Sequence, residues 1–471
     1  MSQTSRVPFW VVRLRKFAVA LLSNRLAAVG VFLLALFVVM ATAAPLLTPY
    51  TPGSQVSGAF NAPTWITAVK GPAGYSQNIQ FASLTVNSSA GLTVSQSNQT
   101  AQSVDLQLSS QGQGGTINLA ETLLYPYQGA PKNFVGSATL VVSDPQNQSF
   151  TVAAFLERVG EKTWVVWDPT VVNGTRLYSP RPEIRSDSLS FNQKFLRDSP
   201  FTTAQYFFAP RPATYHYTLQ ITLPPAITNV HITVSKFSMV LLGNTWGIFG
   251  TDDQGHDIFT QLVYGARLSL EVGLIATGIG IGVGLLVGLM AGYLGKVVDE
   301  VLMRFTDMLL VIPGLPLLIV LVATVGSNLI YIILYLGFFG WMGFARVVRS
   351  QVLSLRERPF IEAAKASGAG TGYITVRHIF PNIVSLTYVS LALSVPAAIV
   401  SEAALSFLGL GDPTVVTWGS MLGNAQAAGG ASLAWWWIIP PGISIALISL
   451  SFILLGYAMD ELFNPRLRRR R

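Results

Sequence analysis

The chain has 471 residues, of which 51% are hydrophobic and only 11% are charged, and its mean hydropathy is +0.48. Soluble proteins carry about 25% charged residues, so this composition excludes an ordinary soluble protein and indicates that most of the chain lies in lipid. The sequence contains no cysteine, which excludes disulfides, thiolate metal sites and cysteine nucleophiles. With only four scattered histidines, we predict no catalytic residue and no metal site.

Six apolar stretches approach or exceed the length of about 20 residues that a helix needs to cross a bilayer. They run from about Leu26 to Leu47, Leu268 to Leu294, Met308 to Val325, Leu329 to Ala345, Ile383 to Leu410 and Trp435 to Tyr457. A cleaved signal peptide ending near Ala43 is the alternative for the first stretch. That stretch is longer than a signal sequence requires, which favours a retained span.

Basic residues orient these spans, because cytoplasmic loops are enriched in Lys and Arg. They cluster before the first stretch (Arg6 to Arg25), between the fourth and fifth (Arg346 to Arg377) and in the tail (Arg466 to Arg471), whereas Gly411 to Ala434 has none. Lys296 and Arg304 fall on the same side if there are six spans. We therefore predict an all-α bundle of six spans with both termini in the cytoplasm.

The composition changes between residues 50 and 245, where Ser, Thr, Asn, Gln and Gly dominate and no stretch is long enough to span a membrane. Apolar and polar residues alternate around Leu106, from Tyr215 to Leu223, and around Ile232. This period of two predicts antiparallel strands with one buried face. We expect an inserted, extracytoplasmic all-β domain resembling a sandwich. Its aromatic residues are expected to fill the core rather than stack on sugars, including Trp164, Trp167, Tyr206, Phe207 and Phe208.

The loop after the fourth stretch holds the most informative motif, which reads Arg358-Pro359-Phe360-Ile361-Glu362-Ala363-Ala364-Lys365-Ala366-Ser367-Gly368. Pro359 stands where a helix can begin and Gly368 where one can end, which predicts a short amphipathic helix. Ala363 and Ala364 give a flat surface that a partner can approach closely. Glu362 lies near the helix start, where the dipole favours a carboxylate.

Glu362-Ala363-Ala364, Gly368 and the later Ile379-Phe380-Pro381 resemble the EAA loop of ABC importer permeases. Further motifs resemble, in the same order, the C-type permease of the dipeptide, oligopeptide and nickel importers. They are Asn24–Tyr50, Phe249–Asp257 with Tyr264–Leu270, Asp299–Arg304, Ile312–Gly314, Ser401–Gly411, Trp418–Leu422 and Asn464–Arg468. The resemblance covers about residues 20–50 and 248–471, and it leaves the β domain without a counterpart.

This resemblance implies an ATP-driven importer in the bacterial cytoplasmic membrane. The chain would form the pore with a second permease subunit, two ABC ATPase subunits would bind ATP and Mg, and an extracytoplasmic substrate-binding protein would deliver a di- or oligopeptide. The chain has no phosphate-binding G-x-x-x-x-G-K-S/T loop, so it is expected to bind no cofactor and to be no enzyme. No nucleic-acid partner is expected, because no folded basic surface is evident and the Arg468–Arg471 run is expected to interact with anionic lipid. Coupling to the ATPases is implied for Glu362, Ala363, Ala364, Gly368 and Pro381.

The resemblance also implies a family signature, carried here by Gly250, Thr251, Asp252, Gly255, Asp257 and Arg267. Two positions depart from the family, since His256 stands where Arg is usual and Phe380 where Leu is usual. The implied division of the chain is a cytoplasmic segment (1–25), a first span (26–47), the β domain (50–245), a five-helix core (248–460) with its coupling loop (346–382), and a basic tail (461–471).

Several membrane residues have two interpretations. Glu402, a carboxylate within a span, is either a structural polar contact or a pathway or gate residue. Gly284 and Gly288 belong to a series of glycines four residues apart (Gly280 to Gly292), which favours close helix packing over a mobile pore-lining role. Local ion pairs are expected between Arg267 and Glu271 and between Arg304 and Asp307.

Alternatives remain for the function. Nickel chelates or oligosaccharides are alternative cargoes, because the family shares its membrane motifs across cargoes. A membrane-anchored sensor or adhesin with a working β domain is a different class, but it has no use for the helix at Glu362–Gly368. A secondary transporter is disfavoured because no inverted repeat is evident. The β domain is hypothesised to dock the binding protein or to cap the pore, against the simpler possibility that it contacts the second permease.

Overall fold

The structure is a computed structural model and describes residues 21–463, except 72–74, 82–83, 90–91, 101, 111–112, 145, 182, 197–201, 209–211, 226–229 and 431–433. The chain divides into a helical unit, residues 1–54 with 258–471, and a β unit, Gln55–Asp257. The basic residues from Arg6 to Lys16 and from Arg466 to Arg471, and the motif Asn464–Arg468, lie outside the described residues.

The β unit consists of two antiparallel sheets. Its strands are β1 Ile79–Gln80, β2 Leu84–Ser88, β3 Leu92–Ser97, β4 Val104–Ser110, β5 Gly115–Tyr125, β6 Asn133–Ser143, β7 Ser149–Arg158, β8 Lys162–Asn173, β9 Arg176–Tyr178, β10 Ile184–Arg185, β11 Ala213–Leu223 and β12 Val230–Leu242. One sheet has the order β10-β6-β12-β4-β3, with β1 on β12 and β9 on β6, and the other has the order β2-β5-β11-β7-β8. Short helices α3 (Ile66–Lys70), α4 (Leu189–Leu196) and α5 (Thr203–Phe207) complete this unit.

The core of the β unit lies between the two sheets. The alternating residues of β4, β11 and β12 are buried as predicted, and Tyr217 of one sheet stacks on Phe237 of the other with ring centroids 4.8 Å apart. Four of the five aromatic residues assigned to the core are buried, including Trp164 and Phe207. The assignment is wrong for Tyr206, which is 39% exposed.

The helical unit contains α1 (Arg25–Thr42), α2 (Ala44–Leu47), α6 (Ile258–Leu294), α7 (Lys296–Val311), α8 (Gly314–Val325), α9 (Leu329–Gly340), α10 (Met342–Arg356), α11 (Pro359–Ala366), α12 (Thr371–Ile374), a π-helical turn (Thr375–Ile379), α13 (Phe380–Phe407), α14 (Trp418–Ala427) and α15 (Trp435–Phe463). The described residues include five helical segments long and apolar enough to cross a membrane, or six if α7 and α8 together form one span. Helix α1 packs on α15, where the Ser451 hydroxyl donates to the Gly30 carbonyl at 2.8 Å.

The apolar stretch from Met308 to Val325 is not one straight helix. The chain bends by 83° between α7 and α8. Pro313 causes this break, since a proline excludes the helical conformation from the residue before it, and Ile312 is accordingly extended with ψ 125°. Only the first four residues of the stretch belong to α7, whose earlier part carries charged residues such as Asp299 and Arg304, whereas α8 has no charged residue.

Candidate functional site

The predicted short helix is α11, and its end explains the glycine. Gly368 has φ +80°, a left-handed conformation that glycine adopts without steric cost. The Gly368 N–H donates to the Lys365 carbonyl at 2.9 Å and the Ala369 N–H donates to the Ala364 carbonyl at 3.1 Å. These two bonds form a Schellman motif, which satisfies carbonyls that would otherwise be unpaired at the helix end.

One face of α11 is anchored and the other is open. Ile361 is completely buried and belongs to an apolar cluster with Val352 of α10 and Ile379, against which Ala364 also packs. The opposite face exposes Glu362 together with Ala363 and Lys365. A Cβ atom built on Gly368 would meet no atom within 4 Å. The helix is thus held from one side and offers a low, charged surface on the other.

The chain beyond α11 leads into the long helix α13 through the π-helical turn. Such turns are rare and are frequently found at functional sites. Pro381 lies in the first turn of α13, directly after the bond from the Phe380 N–H to the Thr375 carbonyl that closes the π-helical turn. The His378 ring lies 5.7 Å from that of Tyr373 and 6.4 Å from that of Phe360. Phe380, the departure from the family, is 38% exposed, so no core contact requires Leu there.

The family signature before α6 lies at the end of the β unit and has a structural role within it. The Thr251 hydroxyl donates to the Gly58 carbonyl at 2.6 Å and accepts from the Asn61 N–H at 2.8 Å. Gly255 has φ +82°, and a Cβ there would lie 2.2 Å from the Ser57 carbonyl oxygen. These contacts fasten the segment entering the β unit to the segment leaving it.

Asp252 organises the turn of the signature. Its Oδ1 accepts from the N–H groups of Gln254 and His256 at 2.9 and 2.8 Å, and its Oδ2 lies 2.9 Å from His256 Nδ1. His256 can therefore bond the carboxylate across the turn. Gly250 has φ +74°, and Thr251 pairs with Asp257 in an isolated bridge.

Arg267, the last signature residue, lies near the beginning of α6 in the helical unit. Its Nε donates to Glu271 Oε1 at 3.0 Å, and both side chains are exposed. This confirms the predicted local ion pair.

Glu402 is buried, with only 1% of its surface exposed. Its Oε1 accepts from the Ser406 hydroxyl at 2.7 Å and from the Thr417 hydroxyl at 2.8 Å. Thr417 is the N-cap of α14, so Glu402 ties α13 to the start of α14. The next residue, Trp418, donates its indole N–H to the Leu262 carbonyl of α6 at 3.0 Å. Oε1 of Glu402 therefore makes a structural contact, whereas Oε2 has no hydrogen-bond partner among the described residues.

The glycine series on α6 lies against α10. A Cβ on Gly288 would be 2.6 Å from the Ala345 carbonyl oxygen, and one on Gly284 would be 2.7 Å from that of Trp341. The two helices approach so closely because the glycines have no side chain, as small residues allow in membrane helices. Gly284 and Gly288 therefore lie in a helix interface.

Two ion pairs between helices were not predicted. Arg349 of α10 donates from Nη2 to Asp299 Oδ2 of α7 at 2.6 Å, and Arg346 bonds Asp307. The expected pair between Arg304 and Asp307 is wrong, since Arg304 instead bonds Glu300 one turn earlier on α7. Sequence spacing identifies local partners only, whereas these partners come from a helix some 40–50 residues away.

Comparison with known proteins matches the same regions. The family of binding-protein-dependent transport system inner membrane components matches residues 284–469, and the N-terminal TM domain of oligopeptide transport permease C matches residues 13–63. The dipeptide transport system permease protein DppC of Alkalihalophilus pseudofirmus is 40% identical over 221 residues, which are 47% of this chain and 72% of that protein. The chain belongs to this permease family.

One further relative and one solved structure are also similar to parts of the chain. The oligopeptide transport system permease protein OppC of Bacillus subtilis is 35% identical over 222 residues, 47% of this chain and 72% of that protein. The inward-facing MetNI methionine ABC transporter aligns with a TM-score of 0.34 and 20% identity, over 42% of this chain and 96% of that one. Its family and its apolar helices make this permease a multi-pass inner-membrane subunit of a transporter, with several candidate spans and an added β-rich region.

Proposed function

We propose that this permease is the C-type pore subunit of an ATP-driven peptide importer, and that α11 transmits ATPase closure to the membrane helices. The observation that carries this proposal is the construction of α11. Ile361 anchors the helix on α10 and α13, while Glu362 and Ala363 face outward beside a glycine end with open space around it. A force applied to the exposed face of α11 would reach α10 and α13 through the buried face that holds Ile361.

The partners follow from family membership and from the names of the relatives. The proposed assembly contains a second permease, two ATPase subunits that bind ATP and Mg, and an extracytoplasmic binding protein. The permeases DppC and OppC are described as dipeptide and oligopeptide transporters, which supports a peptide cargo over nickel chelates or oligosaccharides.

Six spans with cytoplasmic termini complete the proposal, with α7 and α8 as one broken span and the β unit outside the cell. The natural absence of cysteine makes this testable. Val171→Cys in the exposed part of β8 should react with an impermeant maleimide added to spheroplasts, whereas Ser367→Cys in the coupling loop should react only after lysis. The reverse pattern would contradict the orientation.

Gly368→Asp tests the coupling role. It places a side chain on the open face of the loop and strains the left-handed backbone. Gly370→Asp is the matched control, because Gly370 is extended with φ −71° and is the N-cap of α12, a position that favours Asp. We expect import to fall at least tenfold in Gly368→Asp while ATP hydrolysis continues, and to stay within twofold in Gly370→Asp.

Glu362→Arg provides a second test of the same surface, since it reverses the one acidic charge near the helix start. Membrane levels of each variant, measured by quantitative immunoblot, should equal those of the wild type. Full coupled import in both Gly368→Asp and Glu362→Arg would rule out the assigned role.

A further inference from the structure

A cavity of about 290 Å³ lies within the helical unit, between α6, α8, α9 and α13. Three hydroxyl-bearing residues line it, Thr277 on α6 and Ser394 and Ser401 on α13. The two serines are seven residues apart, which places them on the same side of their helix, with Ala398 between them. The volume of the cavity is at the lower end of the range for small-molecule sites, which is enough for a short section of an extended polypeptide chain.

Thr277 is the unusual member of the lining. Only 5% of its surface is exposed, and its Oγ1 has no hydrogen-bond partner among the described residues. A helical threonine normally bonds the carbonyl four residues earlier, as Thr306 does with Leu302 at 2.7 Å. A buried hydroxyl without a partner is costly, so this group indicates that a polar ligand completes the site.

The remaining lining narrows the class of ligand. None of the described residues that line the cavity is charged, and its walls include five large apolar side chains: Ile281, Leu315, Leu318, Leu336 and Phe339. Glu402, next to Ser401, bonds toward α14 through Oε1, while its Oε2 has no hydrogen-bond partner among the described residues. Gly280 and Gly340 lie where α6 and α9 approach closely, since a Cβ on Gly280 would be only 3.2 Å from the Gly340 carbonyl carbon. A lipid chain would leave the Thr277 hydroxyl unpaired, and an ion would find no opposite charge in the lining. A neutral amide group bonds to the hydroxyls and needs no charged partner.

We propose that this cavity binds the main chain of the peptide cargo during passage, with Thr277, Ser394 and Ser401 bonding successive amide groups. The apolar walls, which include Leu318, Leu336 and Phe339, would accept apolar side chains of the cargo beside its main chain. This inference rests on the proposed import function and assigns one of its binding sites.

Thr277→Val removes the hydroxyl and keeps the shape. We measure uptake of a radiolabelled mixture of di- and tripeptides by the complete complex in vesicles. Import at low peptide concentration should fall three- to tenfold, as expected for one neutral hydrogen bond. The melting temperature should not fall, since the hydroxyl has no structural partner. Unchanged import by Thr277→Val would overturn the role of the Thr277 hydroxyl in cargo binding. A lower melting temperature with a proportionate loss of folded complex would overturn it as well.

A single cysteine at Ser401 provides the independent test. Methanethiosulfonates of increasing size should slow import progressively in Ser401→Cys, by less than twofold for the methyl reagent and at least fivefold for the benzyl reagent. Peptide in excess should slow the reaction. The control is Val400→Cys, the neighbouring residue, which is 49% exposed and does not line the cavity.

The outcomes separate the two proposals. Wild-type uptake without any effect of modification at Ser401→Cys would contradict the cavity assignment and leave the importer intact. Absence of uptake by the wild-type complex would contradict the import function itself and the cavity assignment with it. Reaction of Ser401→Cys and Val400→Cys with lipid-soluble reagents only would show that lipid fills the cavity.

Discussion

Substituting alanine along the glycines of α6 should separate the packed face of this helix from its open face. Gly284 and Gly288 lie against the backbone of α10, with the built Cβ at 2.7 and 2.6 Å from carbonyl oxygens. Gly278 and Gly282 lie in the same helix, but a Cβ on either would meet no atom within 4 Å. All four substitutions change the same residue type in the same helix.

The magnitude follows from two opposing effects. Alanine favours a helix over glycine by about 1 kcal/mol, and this gain is common to all four positions. Overpacking costs about 1–3 kcal/mol where the neighbour cannot move, and a backbone carbonyl cannot move without shifting α10. We therefore expect Gly288→Ala to be about 1–3 kcal/mol less stable than Gly282→Ala.

Thermal unfolding in detergent, followed by size-exclusion chromatography of the remaining folded protein, measures the difference. Gly288→Ala should melt several degrees below Gly282→Ala. Trimming Val348 to alanine should not rescue it, because the Val348 Cβ itself lies 2.6 Å from the built atom. Equal melting temperatures for Gly288→Ala and Gly282→Ala would refute the close-packing argument.

Three further outcomes concern charged side chains in the two units. Glu121 lies in the core of the β unit without a hydrogen-bond partner for either oxygen among the described residues, and burial raises its pKa to about 8. The folded state therefore retains a proton on Glu121 that the unfolded state releases above pH about 4.5. The free energy of unfolding of the β unit should consequently fall as the pH rises from about 5 to about 8. The slope is at most about 1.4 kcal/mol per pH unit. Pulse proteolysis should show that slope in the wild type and not in Glu121→Gln, and a flat wild-type profile would contradict it. Asp299→Asn should destabilise the contact between α7 and α10 by about 1 kcal/mol. Exchanging the charges of Asp299 and Arg349 should recover part of that loss in a double-mutant cycle. Complete additivity of the two single-mutant changes in stability would show that the pair contributes nothing. Glu402→Gln can still accept from the Thr417 hydroxyl, whereas Glu402→Ala removes the acceptor of that hydroxyl proton. Proteolysis near α14 should therefore increase only in the alanine variant, and equal protection of both variants would refute the contact between Glu402 and α14.

Patterns that depend on neighbouring residues could be read from the sequence. Helix α11 begins at Pro359 and ends before Gly368 as predicted, because both residues act through their own backbone conformations. The alternation in β11 placed Tyr217 and Ile221 in the core, since a strand turns every second side chain to the same face.

A proline within an apolar stretch changes the direction of the chain in a way that hydropathy does not predict. The stretch from Met308 to Val325 has the hydropathy of a single span, yet Pro313 divides it and the two halves differ in direction by 83°. Hydropathy reports the preference of a segment for lipid, and it carries no information about the angle between two helices.

The sequence by itself therefore determined that this is a membrane permease with an inserted β domain, which apolar stretches are helical, and where the coupling helix begins and ends. Only the tertiary structure decided that Asp307 pairs with Arg346, that Glu402 accepts from Thr417 at the start of α14, and that Thr277 faces a cavity without a partner among the described residues. The physical reason is that hydropathy and capping are local properties, whereas the partner of a polar side chain is set by whichever distant helix packs beside it.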